Sequence, residues 1–139
     1  MTDARPYTYV LDRLKDAGLR PTRQRLALAK LLLEVGDRHI TAEQLHSEAS
    51  YAGIKVSLAT VYNTLHQFTK VNLLREVVVE SGRAYFDTNT NEHYHIFHQD
   101  TGELCDIAEH ALSTLTLPDP PAGTEIDRVD VIVRVKSKI

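Results

Sequence analysis

Apolar side chains in the first half of the chain recur every three to four residues and in the second half every two, so the pattern predicts helices followed by strands. Tyr7, Val10, Leu11, Leu14 and Ala17 form one helical stripe over residues 6–17, and Gly18 stops it. Pro21-Thr22 opens a second helix with Thr22 as N-cap. Leu26, Leu28, Ala29, Leu31, Leu32 and Leu33 then give an apolar surface wide enough for burial on more than one side before Gly36. Thr41 followed by Gln44 spells a capping box, and Ala42, Leu45, Ala49 and Ala52 carry a third helix to Gly53. Ser57 caps a fourth, from Leu58 to about Val71, that buries Val61, Leu65 and Phe68. Asn72 suits the left-handed residue after its end.

Beyond Asn72 the period shortens. Leu74–Val79, the turn Glu80-Ser81-Gly82-Arg83 and Ala84–Asp87 read as a β-hairpin. Strands near Tyr94–His98 and Glu103–Ile107 flank an Asp100-Thr101-Gly102 turn, and a helix follows near Ala108–Leu115. Pro118, Pro120, Pro121 and Gly123 mark a loop before a last strand, Arg128–Val135. The expected fold is α+β: an N-terminal winged helix-turn-helix over residues 1–88, then a small α/β domain over 89–139. The second domain is too short to hold a secure core alone, which points to a shared homodimer interface. Ile107, Leu112, Leu115, Val129, Val131, Ile132, Val133 and Val135 are its apolar candidates.

Charge divides along the same line. Residues 1–75 hold eleven Lys and Arg against seven Asp and Glu, a net of +4, whereas 76–139 hold five against twelve, a net of −7. A basic module that meets phosphates and an acidic one that collects cations or a protein partner produce such a split, and so do ion-paired, solvated faces. No apolar run approaches a bilayer span, so no membrane association is expected. Met1–Pro6 lacks the features of a secretory signal, which makes the cytoplasm the expected location. Cys105 is the sole cysteine, so an intramolecular disulfide is excluded.

Two constellations carry candidate chemistry. Three of the seven histidines, His93, His95 and His98, fall within six residues. His93 and His95, at i and i+2, share one face of a strand and can grip one ion, although alternation alone does not bring the rings together; His98 has the opposite parity unless a bulge intervenes, and Tyr94, which shares that parity, can simply pack. The start of the fourth helix presents Ser57, Ala59, Thr60, Tyr62 and Asn63, residues suited to base edges and thymine methyls in a major groove. Arg20, Arg23 and Arg25, at the junction of the first two helices, can hold phosphates or enter a minor groove. The alternative is a helical bundle with solvated arginines.

The stretches Gly18-Leu19-Arg20-Pro21-Thr22-Arg23-Gln24-Arg25, Thr41-Ala42-Glu43-Gln44-Leu45 and Ser57-Leu58-Ala59-Thr60-Val61-Tyr62-Asn63-Thr64-Leu65 resemble the ferric uptake regulator family over nearly the whole chain. The wording RPTRQR, SLATVYNTL and YFDTN, with a short cysteine-poor tail, is most similar to its iron response regulator branch in alphaproteobacteria. The resemblance implies a homodimeric regulator of iron and haem genes that binds double-stranded DNA at an AT-rich, partly palindromic operator. Asn63 stands where many relatives have Arg, which implies a changed operator preference.

The resemblance also implies a sensory site for a divalent transition metal (Mn, Fe or Zn) made by His39, Asp87, His93, His95 and Asp106. In the branch it resembles, haem inactivates the regulator, implying haem contacts at His93 and at His95 or His98, and a haem-delivering protein as partner. The Cys-Pro haem motif of some branch members is missing here, since Cys105 precedes Asp106. Where many relatives carry two Cys-x-x-Cys pairs, this chain has His98-Gln99-Asp100-Thr101 and no second pair, so no structural zinc held by four cysteines is expected. Glu92, Tyr94 and Ser113 stand at a further family metal site that looks degraded. A peroxide sensor of the same family is the alternative, since three histidines with two aspartates resemble the ligand set of peroxide regulators. A small metal-dependent hydrolase, with Glu92 as general base, is a remote one that no HExxH helix or nucleophile triad supports.

Overall fold

A computed structural model describes residues 8–80, 82–91, 93–108 and 115–138. They fold as two compact units, Met1–Thr90 and Asn91–Ile139, a division two residues beyond the boundary read from sequence.

In the first unit the apolar stripes form α1 (Thr8–Asp16), α2 (Arg23–Leu33), α3 (Ala42–Tyr51) and α4 (Leu58–Lys70). Hydroxyl caps start three of them: Thr22 accepts from the Arg25 N–H, Thr41 from Gln44 and Ser57 from Thr60. Thr41 and Gln44 complete the capping box in both directions. Asn72 ends α4 with φ 62°. That left-handed turn lets the Asn72 N–H donate to Thr69 at 3.1 Å and the Leu73 N–H to Phe68 at 2.9 Å, satisfying carbonyls that the helix end leaves open. Val10 and Leu14 of α1, Leu28 and Leu32 of α2, Leu45 of α3, and Leu65 and Phe68 of α4 meet in one core, each at most 1% exposed.

The wing has three strands where the sequence pattern predicts two. β2 (Arg75–Glu80) and β3 (Arg83–Asp87) form the hairpin, and β1 (His39–Ile40) adds to the free side of β3, giving the order β1-β3-β2. A two-residue strand carries no periodicity to detect. Phe86 of β3 and Ile40 of β1 are opposite one another and both buried, which fastens the wing sheet to the helical core.

The second unit contains β4 (His95–His98), β5 (Leu104–Asp106) and β6 (Ile132–Val135) in the order β5-β4-β6, the first pairing antiparallel and the second parallel. Phe97 of β4 and Leu104 of β5 are in register and buried. The last strand begins at Ile132, later than the predicted Arg128: the pairing with β4 runs from His95 opposite Ile132 to His98 opposite Val135, and Val131 adds only its carbonyl, which accepts the His95 N–H at 3.1 Å. Most of the helix predicted near Ala108–Leu115, with Leu112, Tyr7, Glu92 and Ser113, lies outside the described residues.

Candidate functional site

Directly opposed residues of an antiparallel pair project from the same face of a sheet. That register sets His39 of β1 against Asp87 of β3, with His39 Nε2 3.2 Å from Asp87 Oδ2. Asp87 is fully buried, and its other oxygen accepts the Asn89 N–H at 2.9 Å. A carboxylate so far from water needs hydrogen bonds and positive charge to stay ionised. Arg38 fixes the backbone beside the pair. Its guanidinium donates to both Glu48 oxygens at 3.0 and 2.6 Å and to the Leu31 carbonyl at 3.1 Å. Its backbone exchanges hydrogen bonds with Thr88, the neighbour of Asp87. The His39–Asp87 pair is thus bracketed to α2 and α3, and Arg38 and Glu48 had no sequence motif to announce them.

The second unit uses the same device. His95 of β4 is opposite Asp106 of β5, with Nε2 3.4 Å from Oδ1, and His93 Nε2 lies 3.1 Å from the same oxygen. One donor atom from each of these three side chains lies within 4.8 Å of the others. The His93 Nδ1 is 2.6 Å from the Asn91 carbonyl, a contact that makes Nδ1–H the donor. Its Nε2 is thereby aimed at the Asp106 carboxylate. Mixed imidazole and carboxylate donors suit a borderline divalent transition metal better than Ca²⁺ or Mg²⁺, which favour all-oxygen shells.

His98 is not part of this cluster. Burial alternates along β4 with His95 and Phe97 inward, so no bulge rescues the parity, and the His98 Nδ1 accepts the Thr101 N–H at 3.4 Å. Tyr94 is half-buried.

Helix α4 exposes Ala59, Tyr62, Asn63, His66 and Gln67 along one stripe. Ser57 and Thr60 are engaged with each other: the Ser57 hydroxyl accepts the Thr60 N–H at 3.1 Å and donates to the Thr60 hydroxyl at 2.9 Å. They therefore build the helix start, and Ala59, Tyr62 and Asn63 are the side chains left facing outward. Arg20 and Arg23 are exposed, whereas Arg25 is occupied, donating to Gln67 Oε1 at 3.1 and 3.2 Å and to the Arg20 carbonyl at 2.8 Å. It ties the start of α2 to α4. The Tyr62 hydroxyl donates to Glu43 Oε1 at 2.5 Å, and its ring stacks near His66 with centroids 6.3 Å apart. That hydrogen bond holds the Glu43 carboxyl below its ordinary range, with help from a backbone N–H, and raises the Tyr62 phenol.

A family model described as the ferric uptake regulator family matches residues 16–120. The chain belongs to the ferric uptake regulator family. It is 33% identical to the ferric uptake regulation protein of Vibrio anguillarum over 100 residues, which are 71% of this chain and 67% of that one. It is also 33% identical to the peroxide-responsive repressor PerR of Staphylococcus aureus over 94 residues, 68% of this chain and 63% of the relative. The solved structure of the Pseudomonas aeruginosa ferric uptake regulator with manganese matches with a TM-score of 0.72 at 27% identity, covering 93% of this chain and 98% of that one.

Ferric uptake regulators are metal-responsive transcription regulators, not enzymes, which removes the hydrolase alternative. Members of the family bind divalent metals, and they bind DNA as dimers. The mixed α+β architecture of this chain is that of the family. No helix among its described residues is long and apolar enough to cross a membrane.

Proposed function

We propose that this chain senses a divalent transition metal through His39, Asp87, His93, His95 and Asp106 acting on a single ion, and reads operator DNA with α4. The observation that carries the proposal is the repeated cross-strand His–Asp pair, His39 with Asp87 in one unit and His95 with Asp106 in the other. Neither pair completes a coordination shell by itself. Three imidazoles and two carboxylates together suit Mn²⁺, Fe²⁺ or Zn²⁺. The ion supplies the positive charge that two ionised carboxylates require, and ligands drawn from both sides of the Thr90–Asn91 division make its binding favour one arrangement of reader and dimer module. Residues 1–88 serve as that reader, and 89–139 dimerise. Leu115, Leu117, Ile126 and Val133, each at least 39% exposed, are apolar side chains that a homodimer can cover.

The operator in this reading is AT-rich and partly palindromic, with Tyr62 and Asn63 contacting base edges and Arg20 and Arg23 contacting phosphates. The shared wording RPTRQR, SLATVYNTL and YFDTN supports the iron response branch, hence control of iron and haem genes. Haem then engages His93, with His95 or His98, and weakens operator binding. The test is operator binding by the purified protein with and without Mn²⁺, Fe²⁺ and haem. Metal-dependent affinity is expected, and haem is expected to perturb its Soret band and loosen the complex. Affinity indifferent to all three overturns the reading, and an unchanged Soret spectrum removes haem from it.

The ligand set itself favours a second reading. Three histidines with two aspartates, alongside likeness to a peroxide-responsive repressor, fit a peroxide sensor in which bound Fe²⁺ directs oxidation to a ligand. Mass spectrometry of the Fe²⁺-loaded protein after peroxide treatment then shows about +16 mass units, one oxygen, on His39 or His93. Intact histidines remove that reading.

A further inference from the structure

We propose that Glu43 determines operator specificity by holding Tyr62 in its reading conformation. The proposal rests on α4 being the DNA-reading helix. Tyr62 is an exposed aromatic residue, and a side chain of that kind ordinarily samples several rotamers that binding must freeze. Here it is restrained at its tip and along its ring. Its hydroxyl donates to Glu43 Oε1 at 2.5 Å, from a residue in the first turn of α3. The ring lies over His66, one turn further along α4, with an interplanar angle of 21°. His66 is itself backed by Phe86 edge-on at 5.6 Å and by Glu76, whose Oε2 is 3.7 Å from its Nδ1. Restraints from α3, α4 and the wing therefore converge on one tyrosine.

The chemistry of the bond defines the readout. With its proton committed to a carboxylate, the hydroxyl does not donate to a base, so Tyr62 reads by its ring, packing against a thymine methyl. The bond survives across the working pH range. The lowered Glu43 carboxyl keeps it present above the ordinary carboxylate range and loses it only as pH falls through that lowered value. The raised Tyr62 phenol keeps it until pH rises above the ordinary tyrosine range. A carboxylate beside a DNA-reading helix also repels phosphates, so Glu43 lowers general affinity while sharpening discrimination.

These two effects separate by substitution. The measurement is the ratio of operator to non-operator affinity, with the salt dependence of each, for Glu43→Gln, Glu43→Ala, Tyr62→Phe, Tyr62→Ala and the Glu43→Ala/Tyr62→Phe double variant. Glu43→Gln keeps an acceptor and is expected to raise non-operator affinity with the ratio preserved. Glu43→Ala and Tyr62→Phe are each expected to lower the ratio by about two- to tenfold, the range expected for ordering one side chain on binding. The double variant is expected to match either single one, because both remove the same bond. Melting temperatures are expected to stay at the wild-type value, since both side chains are exposed. An unchanged ratio in Glu43→Ala while Tyr62→Ala loses specificity overturns the role of Glu43 alone, as does multiplication of the two single effects. Full specificity in Tyr62→Ala overturns the underlying assignment of Tyr62 to readout.

Discussion

Replacing His93 by Ala is expected to weaken Mn²⁺ binding by at least about a hundredfold, more than the loss of an outer-shell partner of a metal site costs. Among the proposed ligands, His93 has the geometry most fully prepared. The Asn91 carbonyl holds its Nδ1–H at 2.6 Å, which selects the tautomer and aims Nε2 at the cluster, 3.1 Å from Asp106 Oδ1. Alanine removes the donor atom and the preparation together. Titration calorimetry checks the affinity, and operator binding is expected to lose its metal dependence in the same variant. His98→Ala is the matched control: it lies on the other face of β4, beside the Thr101 N–H, and its loss is expected to leave Mn²⁺ affinity within about threefold, inside the ±0.5 kcal/mol scatter of substitutions away from special features. Equal losses in both variants contradict the assignment of ligands.

Phe68→Ala is expected to destabilise the first unit by about 3–5 kcal/mol, the usual cost of emptying a buried aromatic site. The side chain is 1% exposed and packs with Val61 and Leu65 on the inner face of α4, one turn before the Asn72 stop. For a unit of this size that loss lowers the melting temperature by more than about 10 °C. Thermal unfolding followed by circular dichroism measures it. Tyr62→Ala, six residues earlier on the outer face, is expected to stay within about 0.5 kcal/mol of wild type because Tyr62 is already 37% exposed. The contrast separates the packing face of α4 from the face proposed to read DNA, and comparable melting temperatures contradict that division.

The helices are legible because burial repeats. Leu45 and Ala49, or Val61, Leu65 and Phe68, mark an inner face, and Thr41, Ser57 and Asn72 mark starts and stops through local chemistry that needs no tertiary information. The same logic exposes Ala59, Tyr62 and Asn63, and strand parity separates His98 from His93 and His95. What stays hidden depends on partners distant in sequence. β1 is two residues long and exists because β3 offers a free edge beside it. The reach of β6 is set by the four residues of β4, although Val129 and Val131 alternate as a strand would.

The bonds that orient the functional side chains are equally silent. Glu43 with Tyr62 spans 19 positions, Arg38 with Glu48 spans 10, and Arg25 with Gln67 spans 42. Composition places these residues on exposed faces, and only the packing of α2, α3 and α4 pairs them. Arg25 shows the consequence: read alone it is a free cation for phosphate, and in the fold its guanidinium is occupied.

The most direct test of the account is whether both His–Asp pairs serve the same ion. Mn²⁺ titration of the wild-type protein is compared with His39→Ala/Asp87→Ala and with His93→Ala/Asp106→Ala, each verified as folded by its melting transition. A single Mn²⁺ per chain is expected in the wild type, with its loss in either double variant and metal-independent operator binding in both. Retention of a Mn²⁺ at wild-type affinity after either pair is deleted contradicts it.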